Sequence, residues 1–216
     1  DLPTRLFHWL LVLTVTGSVV TAKMGEMTWH MRLGYVAATL LLFRLLWGLA
    51  GGRWSRVASM AGTLGSIGRY LRGQLAPAQV PGHNPLGVLS IVAVVALLLG
   101  QVATGLVADD EIATTGPLYP LVSSATSLAA TAWHKQWGEW LLYGWLALHL
   151  GAIAWSAWRG QALLAAMWGG DKWLPPGTPA SSDGLARRAL ALVLLALAAG
   201  LVTWLVGLGS GSGLGG

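Results

Sequence analysis

The chain reads as an all-α integral membrane protein, and two observations predict that class. Only 10% of its 216 residues are charged and 55% are hydrophobic, with a mean hydropathy of +0.62; a soluble domain carries about a quarter charged residues. Long apolar runs recur at roughly 6–22, 30–50, 86–107, 134–158 and 185–206. A hydrocarbon core of ~30 Å needs about 20 apolar residues per helical span, with a range of roughly 17–25. All five runs qualify, the first provided that Lys23 snorkels or the helix stands nearly upright. Five spans of this size make one bundle and one domain.

Taken in order, the first span begins at RLFHWL and ends near AKMGEM, and the second follows at once from WHMRLGY to FRLLWG. A Gly- and Arg-rich segment, 51–84, closes on APAQVPGHNP, and the third span starts after Pro85, a residue suited to a first helical turn. An outer loop is expected over 108–132, acidic first and Ser/Thr/Pro-rich afterwards. The fourth span contains WHKQWGEWLLYGWLALHL, residues 133–150, with a histidine near each end. The fifth, 185–206, has no histidine and no charge after Arg187 and Arg188 in its first turn, and a Gly/Ser-rich tail, 207–216, reads as flexible. No internal repeat is visible.

Charges set the orientation. With the N-terminus cytoplasmic, the inner side holds Arg5, Arg44, Arg53, Arg56, Arg69, Arg72, Arg159, Lys172, Arg187 and Arg188, and the outer side only Lys23, Arg32 and Lys135. That asymmetry predicts N-terminus in and C-terminus out. Acidic residues favour the outer side, five against three. The pI of about 10.1 therefore describes membrane topology and not a nucleic-acid binder. The absence of cysteine excludes disulfides, iron–sulfur clusters, thiolate-ligated haem and covalent haem attachment. No small-residue cleavage site follows the first apolar run, so no removable signal is expected.

The histidines fall at two depths. His8 lies near the inner end of the first span, His30 near the outer end of the second, His134 at the outer end of the fourth, and His149 fifteen positions further in. In a regular helix those positions span ~22 Å and leave ~60° of rotation, so both rings leave from similar faces. His134 matches His30 in depth, and His149 matches His8. A single histidine in a span is as readily explained as an interfacial residue or a helix–helix hydrogen bonder. Two matched pairs have a simpler reason: two facing imidazoles are what a six-coordinate haem iron needs, and helix bundles hold cofactors this way. A bare transition-metal ion gathers three or four ligands at one level, and each level here offers two.

A porphyrin plate needs neighbouring helices to retreat, and Gly17, Gly34, Gly105 and Gly144 lie where such clearance is wanted. Arg5 and Arg44 on the inner side, with Arg32 on the outer, stand at suitable heights for propionates. His83, in PGHNPLG, is a turn residue or a contact to a propionate or a quinone head group. The expected fold class is thus a four-helix transmembrane di-haem bundle plus a fifth, C-terminal transmembrane helix. The tryptophans, 13 in all, read as interface belts.

RLFHW, HMRLGY with FRLLWG, GHNPLG, and the His134/His149 pair ending in ALHL together resemble the bacterial cytochrome b-561 family, which is related to the cytochrome b subunits of nickel hydrogenases and formate dehydrogenases. The resemblance covers roughly 1–173, the four-helix core; the fifth helix looks like an extra found in some members. It implies two non-covalent haem b groups, an inner one ligated by His8 and His149 and an outer one by His30 and His134. One departure is the Lys135-Gln136-Trp137-Gly138 turn, which spaces the histidines of the fourth span more widely than the commonest family form.

Two six-coordinate haems stacked across a bilayer leave no open position for substrate, so their use is to move electrons between its faces. The leading expectation is transfer between membrane quinone or quinol and a periplasmic carrier, with the acidic Asp109-Asp110-Glu111 cluster suggesting a c-type cytochrome with a basic face. The alternatives are an anchor subunit of a hydrogenase-like dehydrogenase, a superoxide:quinone oxidoreductase, and, outside redox chemistry, a haem-free transporter or structural protein. The expected location is the bacterial inner membrane, and nothing in the sequence excludes an oligomer.

Overall fold

The computed structural model describes residues 1–74, 84–160, 163–170, 177, 181 and 183–211. His83 lies outside the described residues. Among the described residues five helices are long and apolar enough to cross a membrane. The first is α1 (Leu2–Lys23), which starts earlier than hydropathy indicates because the Asp1 carboxylate accepts the Thr4 N–H at 2.9 Å and Pro3 sits in the first turn. A short turn with Gly25 at φ 77° reverses the chain into α2 (Met27–Ala50), and α1 and α2 pack as a long antiparallel hairpin. The left-handed backbone at Gly25 is open to glycine without strain.

Two short helices, α3 (Val57–Leu64) and α4 (Ile67–Leu71), follow on the inner side and lie against α5 (Pro85–Leu106). Asn84 caps α5 by accepting the Gly87 N–H at 2.6 Å. The expected outer loop proves shorter than 108–132. Residues Ser124–Ala132 form α6, which runs through a π turn, Trp133–Gly138, into α7 (Glu139–Trp158). Ser, Thr and Ala dominate α6, so its hydropathy is low although its alanines favour helix; Ser123 caps its start by accepting the Thr126 N–H. Beyond α7 come α8 (Leu163–Gly169) and α9 (Leu185–Gly211). The last helix therefore takes in residues 207–211 of the expected tail, because Gly209 lets its backbone press against Pro117 beside the short turn Tyr119–Leu121.

The bundle is a chain of neighbours: α1 packs on α2, α2 on α5, and α5 on α7, with α9 on the outer flank of α2. Leu41, Leu98 and Leu142 tie α2, α5 and α7 together, while Phe7, Leu40, Phe43, Trp47, Ala191 and Ala198 join α1 and α2 to α9. Inside lipid these contacts hold by close packing more than by exclusion of water. Arg187 at the start of α9 and Arg56 both donate to carbonyls at the end of α2, placing cations on a helix C-terminus.

One side stays open. Helices α1 and α7, which carry His8 and His149, do not pack along each other. They are bridged at their ends instead. Lys23 and Glu139 pair at 2.5 Å on the outer side. On the inner side, Arg5 donates to the Trp168 carbonyl at 2.7 Å and Trp9 to the Met167 carbonyl at 3.3 Å, fastening α8 to α1.

Candidate functional site

The outer pair draws on four helices: His30 on α2 and His134 in the π turn between α6 and α7 supply the rings, and α1 and α5 supply their anchors. His30 and His134 face each other with ring centroids 5.8 Å apart and planes at 82°. A nitrogen–metal bond to imidazole is about 2 Å long, so two rings flanking one metal ion have centroids roughly 6 Å apart. Each ring is also held from behind. His30 Nδ1 donates to the Ser18 carbonyl at 2.9 Å, and His134 Nδ1 to the Gln101 carbonyl at 2.9 Å. A carbonyl only accepts, so both Nδ1 atoms carry the proton and both Nε2 atoms keep a free lone pair. Metal-binding histidines are oriented in this way.

The inner pair is less tightly fixed. His8 is within electrostatic range of His149 across the open side. Its Nδ1 is buried without a hydrogen-bond partner among the described residues, and its ring meets Trp9 edge-on at 5.0 Å. His149 stacks on Trp145, with centroids 4.8 Å apart and planes 11° apart, and Trp145 Nε1 donates to Ser90 Oγ at 3.1 Å. Trp145 thus holds the plane of His149, and α5 holds Trp145.

Do these residues fit a haem? Around Gly34, Gly144 and Gly151 an added Cβ would meet nothing within 4 Å, so α2 and α7 offer free space on those faces. Together with the unpacked α1/α7 side and the free Nε2 atoms of the outer pair, this fits a flat plate between facing imidazoles. Gly17 and Gly105 act differently. A Cβ at Gly17 would press on Leu33, and one at Gly105 would lie 3.1 Å from the His134 ring. The first lets α1 close on α2; the second makes room for His134 itself. Among the described residues no three His, Asp or Glu side chains converge.

The predicted cations occupy distinct settings. Arg44 is buried between α2 and α3, with the Ser55 carbonyl at 3.3 Å and Met60 Sδ at 3.9 Å as its partners. A guanidinium has five donors, and no carboxylate is among those partners. Arg5 binds the Trp168 carbonyl, while its Nε is buried without a partner among the described residues and its guanidinium rests on the Gly170 backbone. Arg32 lies over the Trp29 ring at 5.0 Å on the outer surface. The acidic cluster is partly consumed by its own loop. Asp110 Oδ1 accepts the N–H groups of Ile112, Ala113 and Thr114, which hold its carboxyl down at about 2. Glu111, at φ 57°, is left exposed at the tip beside Ile112.

Sequence reasoning missed Gln101, Ser18 and Trp145. A glutamine in the middle of an apolar span was the visible signal for Gln101. The π turn answers the spacing departure in the fourth span. It absorbs one residue, so His134 and His149 stand about as far apart as fourteen regular positions, with ~40° of rotation in place of ~60°.

No curated protein and no solved structure matches the chain. The family described as prokaryotic cytochrome b561 matches residues 1–170, which takes in α1 to α7, both histidine pairs and α8. The helical membrane bundle is the fold expected of that family. The chain belongs to the prokaryotic cytochrome b561 family, and it is a multi-pass membrane haem-b electron-transfer cytochrome.

Proposed function

We propose that this protein carries electrons between membrane quinol and a periplasmic carrier through two haem b groups, the inner held by His8 and His149 and the outer by His30 and His134. Haem supplies reversible one-electron chemistry at each site. The observation that carries the reading is the outer pair: two facing rings, each with Nδ1 tied to a carbonyl and Nε2 left for the iron. Arg44 supports the inner site. Among the described residues the partners of this buried guanidinium are a carbonyl and a thioether, with the nearest carboxylate, Asp1, turned to the Ser55 hydroxyl, so donors remain for an anion such as a haem propionate.

The rest of the chain's work is positional. Ser18 and Gln101 aim the outer rings, Trp145 aims His149, and the α1/α7 side stays open for the plate. The charge asymmetry supports an orientation with the His8/His149 end in the cytoplasmic half of a bacterial inner membrane and the α5–α6 loop in the periplasm. There Asp109 and Glu111 offer negative charge to a basic partner such as a c-type cytochrome, while Asp110 is occupied with holding the loop.

The test is a proteoliposome experiment. Quinol added to the membrane reduces the haems, and an oxidised c-type cytochrome outside then reoxidises them. Replacing Asp109 and Glu111 together by lysine slows the second step at low salt and leaves the first unchanged. Equal reoxidation rates would remove the docking surface, and no reduction by quinol would remove the quinone link.

A further inference from the structure

One residue of α5 grips the histidine of the π turn, His134, in two ways. The Gln101 carbonyl accepts His134 Nδ1–H at 2.9 Å, and the Gln101 side-chain Nε2 donates to the His134 carbonyl at 3.2 Å. That carbonyl lies inside the π turn Trp133–Gly138, where the ordinary four-residue ladder is broken and backbone acceptors need other partners. The same glutamine amide rests on Gly138, which is buried, and a Cβ there would collide with it. Ring, backbone and turn are therefore all referred to one residue, the ring through its backbone carbonyl and the other two through its side chain.

The arrangement is expensive in a span. Gln101 Oε1 is buried without a partner among the described residues, so the amide is kept by its donor alone. An apolar residue of similar size would pack there without leaving an acceptor unsatisfied. What it would not do is hold the His134 carbonyl. His30, by contrast, takes its anchor from Ser18 on α1, so the two rings of the pair are set by different helices and stand at 82°.

We propose that Gln101 is a positioning residue for the outer haem: acting through the π turn, it fixes the plane of the His134 ring against that of His30 and so sets the electronic state and potential of that haem. The proposal rests on the reading of His30 and His134 as ligands of one haem. The largest g value of a ferric haem with two imidazole ligands depends on the angle between the ligand planes, and its potential depends on how strongly each Nδ1–H bond pushes charge onto the ring. Both are properties of ring placement, beyond mere retention of the group.

The experiment uses purified holoprotein and two variants, Gln101→Met, which keeps length and loses the donor, and Gly138→Ala, which displaces the amide from the other side. Haem content, electron paramagnetic resonance and redox titration are read on each. The expected result is two haems per chain, with one low-spin signal and one midpoint shifted, and the shifted signal is the one that His30→Ala removes. Both signals and both midpoints unchanged in the two variants would overturn the proposal, as would a shift in the signal that His8→Ala removes. If Gln101→Met does not assemble, Gly138→Ala alone decides by the same criteria. The underlying reading fails separately: wild-type protein with fewer than two haems, or His30→Ala that keeps every signal, refutes the ligand assignment itself.

Discussion

Trp145 stacks on His149 at 4.8 Å with the two planes only 11° apart, and it is itself held by a hydrogen bond to Ser90. A stacked aromatic pair is worth about 1 kcal/mol beyond its buried area. Trp145→Leu removes that constraint, and inner-haem retention is expected to weaken about fivefold. Trp145→Phe keeps the ring and falls between. Haem dissociation to an apo-globin acceptor measures the effect; equal loss rates in all three proteins would contradict it.

Arg44 sets a second expectation, on potential. Reduction adds negative charge to a haem, and a buried cation nearby favours it. Arg44→Met has nearly the same girth and no charge, so the midpoint of the inner haem should move negative while that of the outer haem stays put. Potentiometric titration resolves the two. A shift of the outer midpoint alone would place Arg44 at the wrong site.

The outer loop gives a pH dependence with a defined sign. Three backbone N–H groups hold the Asp110 carboxyl at about 2, below its ordinary value of 3.8. A depressed carboxylate contributes its stability above the unfolded value and loses it as pH falls through the folded one. Protection of the amides in residues 109–115, measured against their intrinsic exchange rates, should therefore be unaffected by ionisation of this group above about pH 4 and should fall between about pH 4 and 2. Asp110→Ala should show the low protection at every pH.

The π turn makes a prediction about chain length. Because it absorbs one residue, deleting Gln136 should restore a regular helix and leave His134 on the same face, with both haems retained. Inserting an alanine after Gln136 adds a further ~100° of rotation and should cost the outer haem. Haem stoichiometry distinguishes the two; outer-haem loss in the deletion would show that the turn does not conserve register.

Much of this was legible in the sequence because bilayer physics is coarse and unforgiving. Five runs of apolar residues read as spans, and imidazoles matched in depth across different spans read as pairs. His30 with His134 follows from that argument alone. The rest turned on contacts that depth does not encode. Gly17 and Gly34 look alike in sequence, yet one faces Leu33 and the other open space. Asp110 looked like a docking charge until its carboxylate was seen to hold three N–H groups of its own loop. The low hydropathy of Ser124–Ala132 hid the start of a helix, and the fifteen-residue histidine spacing hid a π turn, since hydropathy and residue counting both assume a regular ladder.

The pairing of histidines across the bundle is tested most directly by counting haem per chain, with reduced-minus-oxidised spectra, in wild type, His8→Ala and His30→Ala. Two haems in the wild type are expected, with a different one lost in each variant. Retention of both haems in either variant, or loss of the same one in the two, would contradict the pairing.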